Sequence, residues 1–473
     1  VLVYCFGRHS LGIKYCRMVA ISHRSARLEV IVSVKEQLDI IISDLRASIS
    51  HEPTEDANAN KGGGESLSPR AADTRHGRDA KASRKPRYAV IGTGMMGREH
   101  IRAVLQLNQA YIIGIFDEDP NSIRRALREF SQSGHEAPTV YPDLNALTDD
   151  ERIEAILICT PNFTHRAMFD AVKNTGKPIF LEKPMATSLE DAIYLAEASR
   201  SYPSSILLGM QYRYKSQYQL ALNAITNGDI GSVKMISISE YRPPFLPKVK
   251  EWNKFAAFSG GTLVEKCCHY FDLMNRIAAS LPARVFASGG RAVNFKSFSY
   301  DGRTSDIDDH ALVIVEYENG VRAQFALNMF SEELYEGLTV SGDLGTLRAE
   351  ERASFKPGRA SSSQITVEVP GHAAYDGIDC TFPDDIEAGG HYGSTLFEHV
   401  RFSKMVRGQQ SDGASCAEGL WAIITAWMAQ ESIRRGSVID VRDTLARLGL
   451  DPFGDGLIPL VNQRHTPDEA IDL

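Results

Sequence analysis

Cysteine is scarce in this chain. Seven stand among 473 residues (Cys5, Cys16, Cys159, Cys267, Cys268, Cys380, Cys416), too few and too scattered for a disulfide framework. That excludes a small secreted scaffold and leaves a reducing, intracellular setting as the expectation. No uninterrupted apolar run approaches the length needed to span a bilayer, so a soluble protein without a membrane partner is expected. Positive charge is not in excess either. A formal net charge of −8 gives no footprint for nucleic acid or an anionic membrane. Small-molecule chemistry is the remaining class.

Residues 1–28 lack acids altogether while carrying Arg8, Lys14, Arg17, Arg24 and Arg27, the composition of an organelle transit segment. The chain starts at Val1, so a fragment or a gene-model artefact is the competing expectation for residues 1–49. The compartment expected is therefore cytoplasmic, or organellar if the segment is a true transit peptide. From Glu29 to Ile49 the spacing of Ile31, Val34, Leu38, Ile41, Ile42 and Leu45 predicts an amphipathic helix, docked or untethered. Residues 50–86 are rich in Gly, Ser, Ala, Asp and Arg and read as a disordered linker.

What is present in full is the stretch Arg87 to Asp117. It predicts a buried strand, a glycine turn, a helix of about three turns and a second strand ending on an acid. Gly92 permits the tight turn, Gly94 removes a Cβ where a pyrophosphate approaches the backbone, and Gly97 lets helix and strand lie close. The intervening helix start, with Met95 and Met96, offers unpaired N–H groups to phosphates. Asp117 stands twenty residues beyond Gly97, where a carboxylate would accept hydrogen bonds from the adenosine ribose. Asp117 and Glu118 together favour NAD, with NADP the alternative because Arg124 and Arg125 are near.

The βα alternation continues to about residue 208. Thr160, Pro161 and Asn162 leave one buried strand, and Glu182, Lys183 and Pro184 leave the next, both at the carboxyl ends where open α/β sheets bind ligands. Residues 87–208 thus form the dinucleotide-binding domain. Residues 209–445 change character: strands follow one another without helices, joined once by Glu318-Asn319-Gly320, so a C-terminal α+β domain with a large open, mostly antiparallel sheet is expected. Such a sheet leaves a face for a homo-oligomer, a dimer or tetramer. Residues 446–473 are a tail.

Within the second domain, Ser259 to Ile277 predicts one helix opened by two glycines. Glu265 and His269 then stand one turn apart on one face, where a carboxylate can orient an imidazole, and Asp272 could join them. Cys267 and Cys268 point in different directions from a helix and lack a second cluster, so no metal is expected.

GTGMMG, the Glu182-Lys183-Pro184 tripeptide and GGTLVEKCCHYFD together resemble the Gfo/Idh/MocA oxidoreductase family over about residues 87–440. The resemblance implies an N-terminal Rossmann domain, a C-terminal α/β domain, and NAD(P)-dependent oxidation or reduction of sugars, polyols or related compounds. Lys183 matches the family's tripeptide lysine and His269 its helix histidine. Glu265 stands where many members have aspartate, and Cys267 where many have glycine. Arg213 in GMQYRY and His391 in HYGSTLFEHVRF are further family-like positions for the substrate. The expected reaction is that of an inositol 2-dehydrogenase-like enzyme: His269 takes the hydroxyl proton, Lys183 stabilises the oxygen, and Glu265 orients the histidine. The alternatives are a dihydrodiol or other sugar-derivative dehydrogenase, or a non-catalytic NAD-binding regulator.

Overall fold

A computed structural model describes residues 35–47, 84–354, 361–370 and 377–450. The acid-free segment, most of the expected linker and the tail beyond residue 450 lie outside the described residues.

The first sheet is built from β1 (Arg87–Ile91), β2 (Tyr111–Phe116), β3 (Thr139–Val140), β4 (Ala155–Ile158), β5 (Ile179–Glu182) and β6 (Ile206–Gly209). All neighbours pair in parallel, in the order β3-β2-β1-β4-β5-β6. Buried on both faces, β4 and β5 are continuous apolar runs, as parallel strands between helices must be. The order reverses between β1 and β4, and the crevice outside that point is where ligands enter such sheets.

Residues 35–47 form helix α1, preceding the sheet. Leu45 is buried on the same cluster as Ala103, Leu107, Tyr214 and Leu396, with Leu38, Ile41 and Ile42 beside it. The amphipathic reading therefore resolves to a docked helix. It touches α2 (Met95–Leu107), which follows β1, and the later helix whose residues include Leu396. After β2, α3 (Pro120–Gln132) starts with Asp119 accepting from the N–H groups of Asn121 and Ser122.

The second sheet has nine strands. β7 (Val233–Tyr241), β8 (Pro282–Gly290), β9 (His310–Tyr317), β10 (Arg322–Asn328), β11 (Leu334–Gly342), β12 (Thr346–Ala353), β13 (Ser362–Glu368), β14 (Ile378–Asp379) and β15 (Ile439–Asp440) lie in the order β14-β13-β12-β11-β7-β10-β9-β8-β15. The turn at Asn319-Gly320 joins β9 to β10 as expected, with Tyr317 N–H donating to the Val321 carbonyl. The pairing is mostly antiparallel as expected, with one exception: β7 and β10 run parallel. β7 is placed centrally, and the chain that separates it from β10 in sequence returns to its far side rather than folding back as a hairpin.

Two helices tie the sheets together. α4 (Ser394–Val406) belongs in sequence to the second unit, yet its Phe402 is buried with Tyr88, Phe180 and Leu207 of the first. The long α5 (Cys416–Arg435), capped by reciprocal Ser415 and Glu418 bonds, buries Trp421 and packs against both units. A boundary at residue 209 therefore separates the sheets but not the layers that cover them.

Candidate active site

The carboxyl ends of β1, β4 and β5 and the end of β7 open into one cavity of about 1530 Å³. Its first wall is the glycine turn. Gly92 has φ +89, and a Cβ there would lie 2.7 Å from the Cys159 carbonyl carbon. Gly97 allows helix and strand to touch, since a Cβ would meet the Gly92 oxygen at 2.0 Å. It packs the turn and does not line the cavity. Gly94 does line it, and a Cβ there would meet nothing within 4 Å. Gly94 is also the residue immediately before α2, which has no side-chain cap and no acid in its first turn.

Asp117 lines the same wall, with Met95, Met96 and Glu118. One carboxylate oxygen accepts from the Thr93 N–H at 2.6 Å and its hydroxyl at 3.0 Å; the other accepts from the Asp119 N–H at 2.8 Å. The acid thus holds the turn to β2, and each oxygen keeps lone-pair capacity for an outside donor. Thr160, Pro161 and Asn162 form the next wall, where the buried Asn162 Nδ2 has no partner. An open backbone cradle, an uncapped helix start and an orphaned amide together fit a dinucleotide. His165, which the sequence reading passed over, lies between the carbonyls of Pro184 (2.9 Å) and Thr160 (3.0 Å) and locks the two loops together.

Glu182 is buried, with one oxygen 2.6 Å from His100 Nε2 and the other accepting from the Lys183 N–H. Lys183 projects across the cavity and donates to the Glu265 carbonyl at 2.9 Å. Burial opposes its charge, but the carboxylates of Glu265 and Glu182 outweigh it and hold the ammonium above the usual lysine range. Lys183 is therefore a donor and not a base.

The predicted single helix is broken. α6 (Thr262–Glu265) and α7 (Cys268–Ala278) are separated at Lys266 and Cys267. Because the axis changes there, Glu265 and His269 do not meet as an i, i+4 pair. Glu265 instead pairs with Lys248 at 2.8 Å, and although burial pushes its carboxyl up, Lys248 and Lys183 bring it down to about 2. His269 stacks on Tyr212, ring centroids 4.1 Å apart and 7° from parallel, with Nδ1 buried and unpartnered. Burial first, then Lys183, Lys266, His391 and Lys215, hold the imidazole well below its ordinary range and hence neutral. The imidazole plane rests on the Tyr212 ring, and Glu265 makes no contact that orients it.

Arg213 and Asp272 do not line the cavity. They form a buried pair (Nε to Oδ2, 2.6 Å) with Glu418 2.9 Å from the same guanidinium, so they join α7 to α5 structurally. His391 does line it, held by Glu99, whose carboxyl is raised by burial but pulled down to about 2 by His391 and Thr395. Sequence spacing gave no signal for Tyr212, Glu240 or Lys266, which with Arg242 and Lys248 complete the wall. Two pairs of adjacent residues there, Lys250 with Glu251 and His391 with Tyr392, have φ between +40 and +55. Such left-handed non-glycine positions gather at ligand sites. Among the described residues no group of three or more His, Cys, Asp or Glu could hold a metal ion.

Comparison with known proteins follows this geometry closely. The NAD-binding Rossmann model of the oxidoreductase family matches residues 86–209, and that family's C-terminal alpha/beta domain matches residues 223–441. The chain belongs to the Gfo/Idh/MocA oxidoreductase family. It is 26% identical over 358 residues to the uncharacterized oxidoreductase YrbE of Bacillus subtilis, covering 75% of this chain and 96% of that one. It is 31% identical over 265 residues to an inositol 2-dehydrogenase/D-chiro-inositol 3-dehydrogenase of Lacticaseibacillus casei, covering 55% and 71% respectively. A levoglucosan dehydrogenase solved with NADH and L-sorbose shares the fold at a TM-score of 0.63 and 19% identity, covering 76% of this chain and 99% of the other. This family member is an NAD(P)-dependent oxidoreductase with an NAD-binding first domain and a mostly antiparallel second sheet. No helix among the described residues is long and apolar enough to cross a membrane.

Proposed function

We propose that this oxidoreductase interconverts a secondary alcohol and its ketone on a cyclic polyol or sugar, using NAD. The observation that carries the reading is the meeting in one cavity of the Gly92–Gly97 turn, a charged Lys183 and a neutral His269. Bound nicotinamide would supply the hydride acceptor or donor. The residues that would hold the dinucleotide are Gly92, Gly94, Met95, Met96, Asp117, Thr160, Pro161, Asn162 and the Glu182–Lys183 loop.

In the oxidative direction His269 accepts the hydroxyl proton, which its neutral imidazole can do without first losing one. Lys183 donates a hydrogen bond to the same oxygen and offsets the negative charge that develops there. Tyr212 keeps the imidazole plane fixed, and the Lys183–Glu265 carbonyl bond aims the ammonium. In reduction the roles reverse. The relatives named as inositol dehydrogenases and the levoglucosan enzyme support a polyol or sugar. We also propose a homo-oligomer formed through the outer face of the second sheet, where Phe286, Leu312 and Ile314 are exposed.

The test is absorbance at the NADH band while polyols and sugars are added to the purified chain with NAD and, separately, NADP. Turnover of at least one polyol, faster with NAD, is expected. Tight NAD binding without turnover across a broad panel would favour the regulator reading instead.

A further inference from the structure

The half of the cavity facing the second sheet carries five cations against four carboxylates. Lys183 comes from the first sheet, Arg242 from the end of β7, Lys248 and Lys250 from the following loop, and Lys266 from the break between α6 and α7; the acids are Glu99, Glu182, Glu240 and Glu265. All four acids are already engaged, Glu99 beside His391 and Glu182 beside His100 and Lys183. Glu265 pairs with Lys248 at 2.8 Å and lies beside Lys183, while Glu240 lies 3.0 Å from Lys266 and 3.6 Å from Arg242. One positive charge is left over. The other lining acids, Asp117, Glu118 and Asp119, do not cancel it, because they stand at the β2 end with Arg98, Arg124, Arg125 and Arg128.

Arg242 has a second feature. Its Nε donates to the Pro243 carbonyl at 3.0 Å and its Nη1 lies 3.6 Å from Glu240, yet among the described residues neither terminal nitrogen makes a hydrogen bond, and the residue lines the cavity. A planar guanidinium whose outer edge lacks a hydrogen bond matches a carboxylate or phosphate and is poorly served by a single hydroxyl. Lys183 and Lys266 both act on the His269 imidazole from this half of the cavity.

We propose that the substrate carries an anionic group, a carboxylate or a phosphate, held by Arg242 and Lys248 while its reacting hydroxyl lies at Lys183 and His269. The proposal rests on the dehydrogenase reading above and narrows it to sugar acids or sugar phosphates. A neutral polyol would leave the surplus charge uncompensated in a site from which water is being displaced. The dinucleotide's own pyrophosphate does not supply the missing charge, since the helix start at Gly94 belongs to the first sheet and Arg242 to the second.

The experiment is calorimetric titration of the NADH-saturated full chain with D-glucose, D-glucuronate, D-gluconate and D-glucose 6-phosphate. At least one anion should bind about tenfold or more tightly than D-glucose, the worth of a charge-assisted hydrogen bond. Added salt should weaken that binding, and the better of the carboxylate and phosphate arms identifies the group. In Arg242→Gln the preference should collapse while NADH titrates as before; Lys248→Met serves the same purpose should the arginine variant fail to fold. Equal or weaker binding of every anion, including no binding at all, would overturn the proposal, as would full preference retained in both variants. Anion preference without NAD reduction by any of these compounds would overturn the dehydrogenase reading and leave the anion site standing. Reduction of NAD by neutral sugars with no anion preference would do the reverse.

Discussion

Removing the Glu265 carboxylate separates two accounts of the site. If Glu265 anchors Lys248 and Lys183, Glu265→Gln leaves Lys248 without its carboxylate partner and Lys183 with Glu182 alone. The size of the effect follows from its own titration. Its carboxyl falls from an ordinary 4.5 to about 2, despite burial, because of Lys248 and Lys183. At about 1.4 kcal/mol per unit this is roughly 3 kcal/mol of stability at neutral pH, consistent with the 3–5 kcal/mol typical of breaking a buried pair. The sign is that of a depressed acid: the contribution is complete above the unfolded value, near pH 4.5, and is lost as pH falls through about 2. Urea unfolding followed by tryptophan fluorescence measures it, and Trp252 is a suitable reporter because Lys248 sits 4.4 Å over its ring. Glu265→Gln should lose roughly 3 kcal/mol at pH 7 and less at pH 4. In a double-mutant cycle with Lys248→Met, coupling of about 1–3 kcal/mol is expected. A variant as stable as the parent, with no coupling to Lys248, would refute the anchor and return Glu265 to the histidine.

The glycine turn gives a paired test: Gly94→Ala should keep its fold but weaken NAD by about tenfold or more, whereas Gly97→Ala, whose Cβ would lie 2.0 Å from the Gly92 oxygen, should lose thermal stability outright. Equal behaviour of the two in melting curves and NAD titrations would contradict the assignment of cradle and packing roles. Leu45→Ala should cost about 2–5 kcal/mol, because its side chain is buried between the two units; an unchanged melting temperature would show α1 to be ornamental. For Asp117→Ala, NAD should bind about 1.5–3 kcal/mol more weakly and NADP be better tolerated, with some added loss from freeing Thr93; an unchanged ratio of the two cofactors' efficiencies would remove Asp117 from the ribose site.

The first sheet was legible because a parallel sheet writes its strands as apolar runs and its phosphate turn in glycines that nothing else replaces. Gly92, Asp117, Asn162 and Lys183 all reach the cavity from positions fixed by that local grammar. What failed was inference across a helix. Glu265 and His269 have helical spacing, but the chain breaks at Lys266 so that its ammonium can meet Glu240 on β7, a residue 26 positions earlier that no local pattern connects to it. Arg213 and Asp272 failed likewise: charge near a ligand loop suggested substrate, while three buried helices needed a tie. The central strand β7 pairs in parallel with β10 because long-range order in a sheet is set by packing, not by adjacency.

The central claim is that His269 moves the proton while Lys183 steadies the oxygen. Turnover number against pH, with NAD binding titrated in parallel, tests it on the parent, His269→Ala and Lys183→Met. With the imidazole held neutral, the parent's acid limb should lie below the ordinary histidine range, and its rate should stay level through alkaline pH while Lys183 keeps its proton. Lys183→Met should lose about 10²–10³ in turnover with NAD still bound. His269→Ala should lose about 10²–10⁴ and the acid limb with it. A His269→Ala enzyme with near-normal turnover and an unchanged limb would contradict the account.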